Sequence, residues 1–166
     1  GAYFPKEFIV EADWSAASYW YAFAALSEDA DLRINGLKEN SLQGDNAVIK
    51  LFDQLGVKTS FIENGIHLTK KGILNKKFDF DFKECPDIAQ TLAVVLSALK
   101  IPSELEGLET LKIKETDRIS ALINELNKIG AVARYEAPDK LKIIDFQEKN
   151  SLEPFLTYED HRMAMA

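Results

Sequence analysis

Residues 45–70 read DNAVIKLFDQLGVKTSFIENGIHLTK, and their pattern decides the fold. Val48, Leu51, Phe52 and Leu55 recur at i, i+3, i+4 and i+7, which is one apolar stripe along an α-helix. Gly56 stops that helix, as glycine commonly does just past a helix end. Residues 58–63 and 66–70 then read as short strands, and Asn64-Gly65 between them is a strong hairpin signal. Residues 116–144, TDRISALINELNKIGAVARYEAPDKLKII, say the same thing again. Ile119, Leu122, Ile123 and Leu126 make the stripe, Gly130 stops it, and strands follow at 131–136 and 140–144.

Working upstream from each stretch extends the repeat. The first is preceded by a strand at 8–13, an Ala-rich helix at 15–27 and a strand at 31–37. The second is preceded by a strand at 78–83, a helix at 87–99, a break at Pro102 and a strand at 103–108. Leu55-Gly56 matches Ile129-Gly130, and Asn35-Gly36-Leu37 matches Glu106-Gly107-Leu108. Unit one spans about 6–71 and unit two about 76–146. Unit three starts at about 154 with Phe155-Leu156-Thr157-Tyr158 and enters a helix at Asp160. The chain ends inside that helix, so residues 1–166 read as one partial domain, a fragment of something longer.

The fold class is therefore α/β, with repeated β-α-β-α-β-β units and internal pseudo-symmetry. The second helix of each unit is amphipathic. The first is apolar nearly all round, at 16–26 (including Tyr19, Trp20 and Phe23) and at 88–99. Helices of that kind are buried, which puts the helices inside and the sheets outside.

Bulk properties narrow the function. At 166 residues, 46% hydrophobic and 28% charged, the chain is an ordinary globular domain rather than a disordered one. A net charge of −7 and a pI of about 4.9 argue against nucleic-acid binding. Any anion must find a local basic pocket against the overall field. No apolar run approaches the roughly 20 residues of a membrane span, and no signal-peptide pattern stands at the start. Cys85 is alone, so no intrachain disulfide or cysteine metal cluster forms, and a reducing, cytoplasmic setting fits. His67 and His161 lack zinc-ligand spacing. No P-loop or dinucleotide fingerprint is present.

Charge collects at helix mouths. Asp13, Asp87 and Asp160 each sit where an apolar helix begins, and capping, at about 1 kcal/mol, explains that placement. Pro86 fixes the chain entry and can aim Asp87 outward. Lys112-Ile113-Lys114-Glu115-Thr116-Asp117-Arg118 is different. Thr116 suits a cap and Asp117 the first turn. Lys112, Lys114 and Arg118, however, oppose the helix dipole at about 0.3–1 kcal/mol each. They make sense if an anion sits there; a solvated charge run is the plainer alternative. Arg162 repeats the anomaly, with a surface ion pair to Asp160 as its plain reading. Ser15 and Ser18 have no nearby histidine, His67 reads as a surface side chain, and Cys85 as a small buried one.

Lys114-Glu115-Thr116-Asp117-Arg118, Asp160-His161-Arg162-Met163-Ala164-Met165, Pro86-Asp87 and residues 11–18 together resemble the 3-phosphoshikimate 1-carboxyvinyltransferase (EPSP synthase) family. The resemblance runs over nearly the whole chain, in order. It implies two similar domains, each of three β-α-β-α-β-β units, with the active site between them. This chain would be about two-thirds of the domain holding both chain ends, and the missing second domain would complete the cleft. The implied reaction moves the enolpyruvyl group of phosphoenolpyruvate to the 5-hydroxyl of shikimate 3-phosphate, in aromatic amino acid biosynthesis, with no metal or cofactor. By that resemblance Glu115 handles the proton on the methylene carbon, and Asp87 orients the 5-hydroxyl and takes its proton. Arg118 and Arg162 clamp phosphoenolpyruvate, Lys114 faces the 3-phosphate, and His161 lies by the leaving phosphate. Thr110 stands where the family often has Asn. The sister enzyme that uses UDP-N-acetylglucosamine shares the fold but needs a reactive cysteine on a loop. A non-catalytic anion-binding module is the third reading.

Overall fold

The computed structural model describes residues 7, 10–149 and 153–166. Its elements fall in the same order in the two stretches, apart from the first strand of the earlier one. Unit one has α1 (Trp14–Leu26), β1 (Asp31–Asn35), a 3-10 turn (Gly44–Ala47) running into α2 (Val48–Gln54), then β2 (Val57–Ile62) and β3 (Gly65–Lys70). Unit two has β4 (Phe78–Asp81), a 3-10 turn (Pro86–Ile88) and α3 (Ala89–Ala98). It continues with β5 (Ser103–Glu106), a 3-10 turn (Glu109–Ile113), α4 (Arg118–Lys128), β6 (Ala131–Glu136) and β7 (Lys140–Phe146). A short α5 (His161–Met165) opens the third.

The first sheet runs β1-β3-β2, antiparallel throughout. The second runs β4-β5-β7-β6, with β4 and β5 parallel and the rest antiparallel. The repeat is visible in the backbone. Gly56 and Gly130 both follow an amphipathic helix with φ of 88° and 89°. Each lends its carbonyl to the strand returning alongside, at 2.7 Å from Lys71 N and 2.8 Å from Gln147 N. A side chain there would be strained and crowded, since a Cβ on Gly130 would lie 2.0 Å from the Gln147 carbonyl.

The core sits between the sheets, around α1 and α3. Leu92, Val95 and Leu96 of α3 are fully buried with Trp14 and Tyr21 of α1. Truncating a buried leucine of this kind costs about 2–5 kcal/mol. Ser18 and Thr91 bond across the α1–α3 seam at 3.1 Å, so the two hydroxyls are satisfied inside the core.

Several expectations change. Of the strand expected at 8–13, residues 8 and 9 lie outside the described residues, and 10–13 are not strand. Among the described residues, Ala12 N donates to Gly36 O at 2.9 Å, and in unit two Phe82 N donates to Glu106 O at 2.9 Å. The α1 helix is not buried all round. Trp20, Phe23 and Leu26 are 52%, 65% and 46% exposed, on a stripe uncovered among the described residues. The first hairpin pairs Ile62 with Gly65, so its loop is Glu63-Asn64, one residue earlier than expected. Gly65 belongs to the strand because β1 comes so close that a Cβ would lie 2.0 Å from the Ile34 carbonyl.

Candidate functional site

Three chain segments meet at one spot: the turn before α3, the approach to α4, and the mouth of α5. Each helix mouth has its own local cause. Asp117, not Thr116, caps α4, taking the Ser120 amide at 3.1 Å. That places Arg118 at the first helical position. Asp160 caps α5, accepting from the amides of Arg162 at 2.9 Å and Met163 at 3.3 Å. Asp13 caps α1 through the Ser15 amide at 2.8 Å. Asp87 does not cap. Cys85 holds that position without a side-chain bond, and the Asp87 carboxylate is free to meet cations.

It meets three. Asp87 Oδ1 lies 3.5 Å from Lys114 Nζ and 3.5 Å from Arg118 Nη1, and Oδ2 lies 3.1 Å from Arg162 Nη2. Arg118 is the hub. Its Nε donates to Asp160 Oδ2 at 2.7 Å, and its Nη2 to Asp160 Oδ1 at 3.2 Å and to Glu115 Oε2 at 2.5 Å. His161 Nδ1 is 3.9 Å from Glu115 Oε1, with its ring largely exposed. All six residues singled out from sequence (Asp87, Lys114, Glu115, Arg118, His161 and Arg162) therefore form one connected cluster.

The details differ from expectation at four points. Arg162 pairs with Asp87, not with Asp160. Asp160 instead takes Arg118, which is buried in the protein rather than solvated. The cations opposing the α4 dipole are thus compensated by carboxylates from other elements. Lys112 leaves the group and lies over the Tyr135 ring at 3.7 Å, a cation–π contact. The capping explanation for Asp87 falls away.

Electrostatics follow the geometry. Burial pushes the Asp160 carboxyl up, but bonds from Arg118 and from the Arg162 and Met163 amides more than offset it, leaving it below the usual range. Two residues escaped the sequence reading. Tyr19 reaches Arg162 from α1, and burial raises its phenol above the ordinary value while Arg162 opposes the rise. Asp45 takes the Ser15 hydroxyl in a short hydrogen bond. Burial raises its pKa, Ser15 opposes this, and the nearby Asp87 charge adds to the rise. A hydroxyl on an apolar helix and an Asp after Gly44 are weak signals, and neither points anywhere without the fold. Among the described residues no group of three His, Cys, Asp or Glu is placed to hold a metal ion. No helix among them is long and apolar enough to cross a membrane. Guanidinium and ammonium groups so gathered can bind a small anion, and carboxylates so placed can carry a proton.

The family profile of EPSP synthase (3-phosphoshikimate 1-carboxyvinyltransferase) matches residues 2–166. The 3-phosphoshikimate 1-carboxyvinyltransferase of Bacteroides fragilis is 47% identical over 161 residues, covering 96% of this chain and 39% of the relative. That of Cellvibrio japonicus is 38% identical, over 97% of this chain and 37% of the relative. Among solved structures, EPSP synthase from Acinetobacter baumannii superposes with a TM-score of 0.63 at 20% identity. It covers 94% of this chain and 38% of that one, a likeness of fold. The chain thus spans under two-fifths of the length of the curated relatives it matches. On the profile and these identities, this chain belongs to the EPSP synthase family.

Proposed function

We propose that the complete protein transfers the enolpyruvyl group of phosphoenolpyruvate to the 5-hydroxyl of shikimate 3-phosphate and releases phosphate. The observation that carries this reading is the meeting of Asp87, Lys114, Glu115, Arg118 and Arg162 from separate helix mouths at one place. Both substrates are polyanions, which is the partner that cations set against a helix dipole call for.

The steps follow from the groups. Arg162 and Arg118 take the carboxylate and phosphate of phosphoenolpyruvate, for which a guanidinium fork suits better than an ammonium. Lys114 turns to the 3-phosphate of the acceptor. The 5-hydroxyl oxygen bonds to the central carbon of phosphoenolpyruvate and gives its proton to Asp87, while Glu115 delivers a proton to the methylene carbon. The tetrahedral intermediate then loses a proton from that methyl group to Glu115, the carbon–oxygen bond to phosphate breaks with its electron pair on oxygen, and the proton taken by Asp87 leaves on the phosphate, returning Asp87 to its carboxylate. His161 stands by the leaving phosphate. Asp87 must exchange its present cation partners for the substrate hydroxyl, so binding rearranges this cluster. The rest of the protein, including a second domain, completes the cleft. A cytoplasmic location belongs to the same reading and suits a free Cys85.

The related UDP-N-acetylglucosamine transferase reading needs an accessible thiolate. Cys85 is 2% exposed, and burial pushes its thiol up to about 12. A thiol so placed is inert. The deciding experiment is phosphate release by the full-length protein. Release only when phosphoenolpyruvate and shikimate 3-phosphate are both present supports the transferase. A folded protein that binds phosphoenolpyruvate but releases nothing would instead be an anion-binding module.

A further inference from the structure

Two consecutive residues, Tyr158 and Glu159, hold left-handed backbone, with φ of 56° and 55°. The turn they form is closed by the Asp160 amide donating to the Thr157 carbonyl at 2.9 Å. Left-handed backbone at both central positions of a turn favours Asn or Gly, and it is costly for side chains such as Tyr and Glu. Strain of this kind persists only where the surroundings hold it.

Glu125, on the inner side of α4, bonds to this segment. Its buried carboxylate accepts the Tyr158 hydroxyl at 2.7 Å and the Leu156 amide at 3.1 Å. Lys128, one turn on, donates to both Glu125 oxygens at 2.9 and 2.8 Å and to the Pro154 carbonyl at 2.9 Å. The Glu125–Lys128 pair thus fastens the segment at three points just before the strained turn. Immediately after that turn come Asp160, which grips Arg118, and Arg162, which reaches Asp87.

We propose that Glu125 is a positioning residue for the transferase site. Through Tyr158 it holds the left-handed turn that sets Asp160 and Arg162 against Arg118 and Asp87. This rests on the transferase reading above. Among the described residues Glu125 makes its hydrogen bonds and ion pair with Lys128, Leu156 and Tyr158 and not with the six clustered residues, so its action passes through the turn.

The test uses the complete protein and four variants: Tyr158→Phe, Glu125→Gln, and each combined with Glu159→Asn. Asn enters the left-handed region far more readily than Glu, so it relieves the turn without touching Glu125 or Tyr158. One readout is kcat and KM for phosphoenolpyruvate. The other, which needs no turnover, is the rate at which phenylglyoxal labels Arg162, followed by mass spectrometry. Tyr158→Phe and Glu125→Gln are expected to raise KM about fivefold with a smaller change in kcat, the pattern of lost binding geometry. Labelling of Arg162 should speed up alongside, and Glu159→Asn should bring both readouts back to within about twofold of the unmodified protein. A lower melting temperature with KM and labelling unchanged would reduce Glu125 to a structural role and overturn the proposal. So would a failure of Glu159→Asn to restore either readout in the milder Tyr158→Phe background. If the unmodified protein releases no phosphate, the transferase reading fails by itself. The labelling rates then decide the turn: faster labelling reversed by Asn sustains the positioning role, and unchanged labelling ends it.

Discussion

Arg118 Nε and Asp160 Oδ2 meet at 2.7 Å, with side chains only 2% and 0% exposed, although 42 positions separate them in the chain. This pair joins the mouth of α4 to the mouth of α5. A buried ion pair holds its geometry only while both partners are present, because either charge alone is stranded away from water.

Asp160 and Asp13 are both helix caps, and that makes them a controlled comparison. Asp13→Ala removes a cap and should cost about 1 kcal/mol. Asp160→Ala removes a cap and also takes from buried Arg118 its two-pronged partner, leaving it Glu115 and Asp87, so it should cost more than a cap alone, up to about 3–5 kcal/mol. Urea unfolding of the complete protein measures both. Equal losses would mean that the Arg118 pair adds nothing.

Acid should weaken the fold through two carboxylates. In Asp160 and Glu125 burial raises the pKa, but cationic and hydrogen-bonding partners, Arg118 in one and Lys128 in the other, lower it further. Each therefore adds stability that is full above its ordinary value, 3.8 or 4.5, and is lost as pH falls through the lower folded value. Asp45 works the other way: raised by burial, it favours the fold while protonated and loses that contribution as pH rises through its folded value. The share of stability that Glu125 supplies is therefore lost as pH drops below 4.5, and Glu125→Gln should make the acid decline shallower. Unfolding midpoints from pH 6 down to about pH 3 provide the check. A slope unaltered by Glu125→Gln would count against it.

Glu115→Gln in the complete protein should lower kcat by about 10²–10⁴, the usual worth of a positioned proton carrier. Binding of phosphoenolpyruvate should change much less. If kcat/KM falls through KM alone, Glu115 binds substrate and carries no proton.

Asp87→Asn should separate affinity from chemistry. Asp87 faces Lys114, Arg118 and Arg162 at once. Without its charge, those cations meet an incoming anion uncompensated. Phosphoenolpyruvate should bind several-fold tighter while kcat drops by about 10² or more. Calorimetric titration and initial rates report the two effects, and weaker binding would contradict the reading.

Much of this architecture is readable from periodicity. The stripes at Val48–Leu51–Phe52–Leu55 and Ile119–Leu122–Ile123–Leu126 locate α2 and α4, and glycines 56 and 130 end them, because those signals are local. Location failed where a distant segment decides. Gly65 shifts the hairpin by one residue because β1 passes against it. Trp20 and Phe23 read as buried because apolar composition shows a wish for cover and not its presence. The six site residues could be named from charges at helix mouths and from the resemblance. Their pairing could not. That Asp160 takes Arg118 and Arg162 takes Asp87 depends on how α3, α4 and α5 pack. Tyr19, Asp45 and Glu125 gain meaning only from neighbours far along the chain.

The carboxylate of Asp87 has one more effect, on which anions can enter. It is tethered among three cations, as a built-in competitor that never diffuses away. Tethering gives such a group an effective concentration in the millimolar range or above. A small anion that engages one cation at a time must compete against that standing occupant. A ligand carrying several negative groups in the right geometry meets the cations together and displaces it. On the transferase reading proposed above, the free site would act as a filter, admitting polyanions of matching shape over the simple anions that surround it.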